Sequence, residues 1–156
     1  MSVSAFLRIT RPHNAIVAGL TALLGYLIAT GTLTVPSLLL AVIVALITAG
    51  GNVINDIFDI DIDRINRPDR PLPAGEISPG PAKTYALALF LSGIVLAALT
   101  TPLCLAIALI NSAILVAYAA RLKRTPLIGN VAVAYLTASV FLFGGAFAGV
   151  FGLISN

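Results

Sequence analysis

The sequence predicts an all-α membrane protein, a transmembrane helical bundle. Of its 156 residues, 59% are hydrophobic and 10% are charged, and the mean hydropathy is +1.05, whereas about a quarter of the residues in soluble domains are charged. Backbone polar groups in lipid must be satisfied internally, which favours helices over an open sheet. Five apolar stretches approach the ~20 residues that a spanning helix needs. They cover residues 13–31, 36–55, 82–100, 103–120 and 129–154.

The first two stretches each follow a proline, and a proline is tolerated in the first turn of a helix because its missing N–H is not needed there. Gly50 and Gly51 in the second stretch predict a close approach of neighbouring helices. Residues 66–75 then contain too many prolines to continue a helix. We therefore expect an ordered cytoplasmic loop between the second and third helices.

The third and fourth stretches are separated by a short turn at residues 100–102, which predicts an antiparallel helical hairpin. The fifth stretch is rich in glycine towards its end. We expect these glycines to pack closely against helices outside this chain. They are Gly144, Gly145, Gly149 and Gly152.

The basic residues predict the orientation in the cell membrane. All nine lie before the first stretch, between the second stretch and the start of the third, where Lys83 is the second residue, or between the fourth and fifth, and the other two connections carry no charge. By the positive-inside rule, the N-terminus and the two charged loops are cytoplasmic. The formal net charge of +3 thus follows from topology and gives no reason to propose nucleic-acid binding. Membrane lipids are the expected surroundings of this multi-pass protein.

All six acidic residues lie within residues 56–76. On a helix, Asn55, Asp59 and Asp63 form one row with Asp56 beside it, whereas Asp61 points away. Like charges at this spacing repel unless a cation compensates them. Oxygen ligands without histidine or cysteine suit Mg²⁺. We therefore predict that Asn55, Asp59 and Asp63 bind the metal.

The acidic segment has three other interpretations. It resembles a solvated loop whose charges are balanced by nearby arginines. An EF-hand is excluded because Arg64 and Arg70 occupy its glycine and bidentate glutamate positions. A transmembrane ion pathway would need acidic residues within the membrane, and no acidic residue lies in the middle of an apolar stretch. A cation transporter half-module that oligomerises stays open as an alternative.

The motif Asn55-Asp56-x-x-Asp59-x-x-x-Asp63, followed by Arg-Pro-Leu-Pro at 70–73, resembles the first aspartate-rich motif of the UbiA family of intramembrane prenyltransferases. The likeness extends to Arg11-Pro12-x-Asn14 and to residues 118–130, so it covers the chain from end to end. The sequences of these motifs are most similar to those of archaeal family members that act in ether-lipid biosynthesis.

The resemblance implies Mg²⁺-dependent transfer of a long prenyl group, geranylgeranyl, from its diphosphate to an acceptor. The preferred acceptor is the hydroxyl of geranylgeranylglyceryl phosphate, and an aromatic quinone precursor is the alternative. The resemblance also implies about nine helices, with two aspartate-rich motifs facing each other across a cytoplasm-side cavity. This chain has five apolar stretches and one such motif. We therefore expect residues 1–156 to be the N-terminal part of a single UbiA-like domain, completed by missing C-terminal helices or by a second chain.

Resemblance and charge together suggest the site residues. Metal and cationic side chains would stabilise the departing diphosphate. The predicted catalytic residues are Asp59, Asp63, Tyr118 and Lys123, and the predicted substrate-binding residues are Asn14, Asn55, Asp56, Arg67, Arg70, Arg121 and Lys123.

Each of these roles has a structural alternative. The arginines are also explained by positive-inside anchoring. The Tyr118 ring could stabilise an allylic cation, or it could belong to the interfacial aromatic belt. Asn111 is expected to make a hydrogen bond between helices instead of a substrate contact.

Overall fold

A computed structural model describes the backbone of residues 2–154 and the side chains of residues 2–149. Its described residues form seven α-helices and two short 3₁₀ turns, Val35–Ser37 and Leu122–Arg124. Five of the helices are long and apolar enough to span a membrane, which confirms the predicted bundle. The helices are α1 (Val3–Ile9), α2 (Pro12–Thr30), α3 (Leu38–Phe58), α4 (Ile60–Asn66), α5 (Pro79–Ala98), α6 (Pro102–Ala120) and α7 (Pro126–Ile154).

Four of the five spanning helices begin at a proline, namely α2, α5, α6 and α7. The sequence analysis placed the start of the third and fifth helices three residues too late, because it followed the apolar pattern. Proline at the first helical position supplies a suitable φ and loses no hydrogen bond. Proline is therefore the better guide to where these helices begin.

α3 is the central helix of the bundle and packs against α2, α5 and α6, while α7 packs mainly along α2. α5 and α6 also contact each other, as the predicted hairpin requires. The Thr101 hydroxyl accepts a hydrogen bond from the Cys104 amide at 3.0 Å and caps the start of α6. The largest fully buried side chains include Tyr26, Ile43 and Phe143, which belong to one apolar core between these helices.

Glycines allow the close helix packing, as predicted for α3. A Cβ atom at Gly51 would lie 2.9 Å from the Leu115 side chain of α6. The prediction for Gly144 was wrong, because this residue packs against α2 of the same chain, where a Cβ would lie 2.5 Å from the Tyr26 amide nitrogen. Among the described residues, no atom from another part of the bundle lies within 4 Å of a Cβ placed at Gly145 or Gly149. The surroundings of Gly152 lie outside the described side chains.

A second apolar cluster forms where α1, α3, α5 and the loop at residues 67–78 meet. Leu72 and Ile77 of the loop are buried there with Ile9 of α1 and Val53 of α3. Backbone hydrogen bonds, including Ala74 N to Arg70 O at 2.9 Å, fold the loop into successive turns. The expected ordering of this loop is confirmed. It lies beside the acidic segment and so positions the candidate site.

Candidate functional site

The acidic motif spans the junction between two helices. α3 ends at Phe58, α4 begins at Ile60, and Asp59 lies between them with φ −99° and ψ 3°. Backbone hydrogen bonds from the Asp59 amide to Asn55 and from the Asp63 amide to Asp59 bridge the junction at 3.0 and 2.8 Å. The helical phase therefore continues through the break. Asp61 points outward and pairs with Arg64 at 3.0 Å, as its phase predicted.

One part of the motif is a cation-binding pair formed by Asn55 and Asp59. The Asn55 amide donates to Asp59 Oδ2 at 2.9 Å, which orients both side chains. Lys123 Nζ then donates to Asn55 Oδ1 at 3.2 Å and to Asp59 Oδ1 at 2.5 Å. Lys123 comes from the 3₁₀ turn after α6, 64 residues further along the chain than Asp59.

The other part is a buried acidic pair, Asp56 and Asp63, whose side chains are only 4% and 8% exposed. Arg70 Nη1 bridges the two carboxylates, at 3.3 Å from Asp56 and 2.5 Å from Asp63. Arg11 forms a second ion pair with Asp56. Buried carboxylates require such partners, because an unpaired charge in the interior is very costly.

This division differs from the single row of Asn55, Asp59 and Asp63 that the sequence analysis expected. In its polar contacts, Asp63 belongs with Asp56, because the loop returns Arg70 between them. Helical phase alone could not reveal which cation would reach which carboxylate. The assignment of Asp63 as a metal ligand stays a prediction.

A polar pocket of about 380 Å³ opens beside the Asn55–Asp59 pair. Its charged and polar lining comes from the start of α2, the end of α3, the end of α6 and the turn that follows it. Tyr118 and Lys123, both predicted site residues, lie on its wall with Asn55 and Asp59. The polar pocket is lined by Arg11, Gly51, Asn52, Asn55, Asp59, Leu115, Tyr118 and Lys123.

An apolar cavity of about 370 Å³ lies next to the polar pocket, among α2, α3, α6 and α7. Leu115 lines both spaces, so the two adjoin at this side chain. Asn14 lines the apolar cavity and not the polar pocket. Asn111 also lines it and donates to Ser139 Oγ of α7 at 2.8 Å, which confirms the predicted hydrogen bond between helices.

The oxygen atoms around the Asn55–Asp59 pair fit a hard cation. The side-chain oxygens of Asn55 and Asp59 accept hydrogen bonds from the ammonium group of Lys123. Mg²⁺ also prefers oxygen ligands. The described residues contain no group of three histidine, cysteine or acidic side chains at metal-binding spacing. At a typical Mg²⁺ site, one or two carboxylates act together with water and substrate phosphate.

Asn55 and Lys123 line the polar pocket, whereas the other predicted substrate-binding residues are not among its lining residues, namely Asn14, Asp56, Arg67, Arg70 and Arg121. The side chains of Arg67 and Arg121 are exposed, and neither lines the pocket. Positive-inside anchoring stays the alternative prediction for both arginines. Their contact with a diphosphate stays a prediction.

Arg11 and Asn52 line the pocket, and the sequence analysis did not name them as site residues. Arg11 has a left-handed backbone, with φ 50° and ψ 70°, and such strain in a residue other than glycine is common at functional sites. Asn52 donates to the Thr10 carbonyl at 2.8 Å. Its spacing of three residues before Asn55 was the available signal, because residues three apart share a helix face.

The UbiA prenyltransferase family model matches residues 15–154. The chain belongs to the UbiA prenyltransferase family. It is similar to digeranylgeranylglyceryl phosphate synthase of Methanoculleus marisnigri, with 78% identity over the whole chain and 56% of that protein. It is 60% identical to digeranylgeranylglyceryl phosphate synthase of Methanoregula boonei over 96% of this chain and 53% of the relative.

Solved structures show the same UbiA fold. A structure from work on digeranylgeranylglyceryl phosphate synthase in membranes matches with a TM-score of 0.90 and 44% identity, over 92% of this chain and 52% of the other. A UbiA homologue from Archaeoglobus fulgidus bound to DMAPP and Mg²⁺ matches with a TM-score of 0.84 and 25% identity, over 92% and 54%. The chain thus spans about half the length of these relatives. It is a multi-pass membrane protein of this family.

Proposed function

We propose that this chain is the N-terminal part of a UbiA-type domain that transfers a geranylgeranyl group from its diphosphate to the hydroxyl of geranylgeranylglyceryl phosphate, with Mg²⁺ as cofactor. The names of the two relatives and the Mg²⁺-bound homologue support this activity. The observation that carries the proposal is the polar pocket adjoining an apolar cavity at Leu115. A prenyl diphosphate has a matching charged head and apolar tail.

The charged head would bind in the polar pocket. Asn55 and Asp59 would hold Mg²⁺ there, and Asp63 is assigned to the metal by its helical phase and by the family resemblance. When bound, Mg²⁺ would supply positive charge to the diphosphate oxygens. Lys123 would donate a hydrogen bond to the departing diphosphate, since its ammonium group already lies on the pocket wall.

The reacting carbon would lie near Tyr118 at the boundary between head and tail. Loss of diphosphate leaves positive charge on the allylic carbon, and the Tyr118 ring face would stabilise that charge. The acceptor hydroxyl oxygen would then form the new carbon–oxygen bond, and its proton would pass to the released diphosphate or to water. Asn14 would contact substrate from the apolar cavity, because it lines that space.

The remaining predicted binding residues would act around the head. Asp56 would act indirectly, because it is buried and orients Arg11 and Arg70. Arg11 would face the diphosphate from the pocket wall. Arg67 and Arg121, which are exposed, would reach the diphosphate from outside the described pocket.

The polar pocket is proposed to face the cytoplasm and to be completed by C-terminal helices or by a second chain. The distribution of the basic residues supports this orientation. In cells, a membrane-impermeant thiol reagent applied from outside should label a cysteine at Thr32, but should not label a cysteine at Asn66. The reverse pattern would contradict the orientation.

The test of function is a transfer assay with the complete enzyme in lipid vesicles, supplied with geranylgeranyl diphosphate and geranylgeranylglyceryl phosphate. Diphosphate release and a new ether product should both appear with Mg²⁺ and disappear with EDTA. Product with an aromatic acceptor alone would contradict the preferred acceptor. Cation flux without cleavage of the diphosphate would instead support the transporter alternative.

A further inference from the structure

Arg8 of α1 connects the two ends of the loop at residues 67–78. Its Nη1 donates to both carboxylate oxygens of Glu76, at 3.0 and 3.2 Å, and its Nη2 donates to the Asp69 carbonyl at 2.9 Å. The planar guanidinium group allows one side chain to make these contacts together. We call Arg8, Asp69 and Glu76 the N-terminal clasp.

The clasp contacts the backbone immediately before Arg70. Arg70 is the residue that bridges Asp56 and Asp63 beneath the acidic motif. A guanidinium placed between two carboxylates needs a backbone fixed closely enough to keep both short contacts. Arg8 therefore fixes the backbone next to Arg70, because it donates a hydrogen bond to the carbonyl of the preceding residue, Asp69.

α1 is itself fixed to the bundle, so the clasp has a rigid base. Asn52 of α3 donates to the Thr10 carbonyl at the end of α1, and Ile9 is buried in the same apolar cluster as Leu72 and Ile77 of the loop. α1 thus joins α3, which carries the motif, to the loop that carries Arg70.

We infer that the N-terminal clasp is a positioning device, which holds Arg70 against Asp56 and Asp63 and thereby sets the charge next to the polar pocket. The consequence for catalysis rests on the proposed function. Arg8 and Glu76 are 51% and 33% exposed, and exposed ion pairs contribute little to folding stability. Removal of the clasp should therefore loosen the loop without unfolding the bundle.

Three substitutions distinguish the hydrogen-bonding geometry of Arg8 from its positive charge. Arg8→Gln removes the clasp, and Arg8→Lys keeps the charge but lacks the planar fork. Arg64→Gln is the matched control, because Arg64 forms an equally short exposed ion pair, at 3.0 Å, but only with Asp61 of its own helix.

The first measurement is amide hydrogen exchange of this chain in detergent. Arg8→Gln should raise exchange of the Arg70, Ala74 and Gly75 amides, which bond within the loop, by about fivefold, as expected for the loss of about 1 kcal/mol. Arg8→Lys should give an intermediate increase, and Arg64→Gln should give none. Unchanged exchange in Arg8→Gln would overturn the inference.

The second measurement is steady-state kinetics of the complete enzyme. Arg8→Gln should raise the KM for geranylgeranyl diphosphate about fivefold, which corresponds to about 1 kcal/mol, while kcat and thermal stability stay close to the original values. A loosened loop with an unchanged KM would overturn the positioning role. Should the unsubstituted enzyme fail to transfer a prenyl group, the proposed function fails, and hydrogen exchange still decides whether the clasp holds the loop.

Discussion

The Asn55–Asp59 pair and the buried acidic pair lie within nine consecutive residues, but their surroundings differ. Asp59 lines the polar pocket and accepts a hydrogen bond from the ammonium group of Lys123, which is carried on a long, flexible side chain. Asp56 and Asp63 are enclosed and share one planar arginine. This difference is the basis for proposing that the Asp59 carboxylate serves the metal and the diphosphate, whereas the contacts of Asp56 and Asp63 with Arg70 hold the loop against the helix junction.

The largest expected effect is on catalysis at the Asn55–Asp59 pair. Asp59→Asn keeps the side-chain shape but removes the charge that would bind Mg²⁺, so Mg²⁺-dependent transfer should fall by about 10²–10³-fold or more, the range for loss of one strong electrostatic contact. Membrane insertion and thermal stability should be unchanged. Transfer assays and thermal melts in detergent measure the two quantities, and normal transfer would contradict the assignment of Asp59.

The next effect is on stability at the buried pair. Asp63→Ala should lower the free energy of unfolding by about 3–5 kcal/mol. Arg70 loses its closer carboxylate and must share Asp56 with Arg11, so one positive charge of this largely buried cluster lacks a counter-ion. Transfer should also be lost, as the family resemblance predicts for this residue. The check is a melt compared with that of Asp59→Asn. Equal melting temperatures for the two variants would show that the two regions do not differ as described.

The smallest effect is expected at Asp61. Its side chain is 89% exposed and pairs only with Arg64, and exposed pairs of this kind contribute about 0–1 kcal/mol. Asp61→Ala should therefore leave transfer within about twofold of the original rate and the melt unchanged. A loss as large as that of Asp59→Asn would refute the distinction between the pocket face of the motif and its outer face.

The sequence predicted the features that depend on local periodicity. Five apolar stretches predicted five spanning helices, and helical phase predicted that Asp61 would point away. Contacts between residues far apart in the sequence could not be predicted from local periodicity. Arg70 reaches Asp56 from a loop, and Lys123 reaches Asp59 from beyond α6. Gly144 has neighbours in α2, and its spacing alone did not show which helix it would meet.

The most direct test of the account is Mg²⁺-dependent binding of geranylgeranyl diphosphate to the complete enzyme, measured by calorimetry. Asp59→Asn is compared with Asp61→Asn, which removes the same charge two residues away. Binding should require Mg²⁺, should be retained in Asp61→Asn and should be lost in Asp59→Asn. Equal binding by both variants, or binding that does not depend on Mg²⁺, would contradict the claim that the polar pocket at Asp59 holds the metal and the diphosphate.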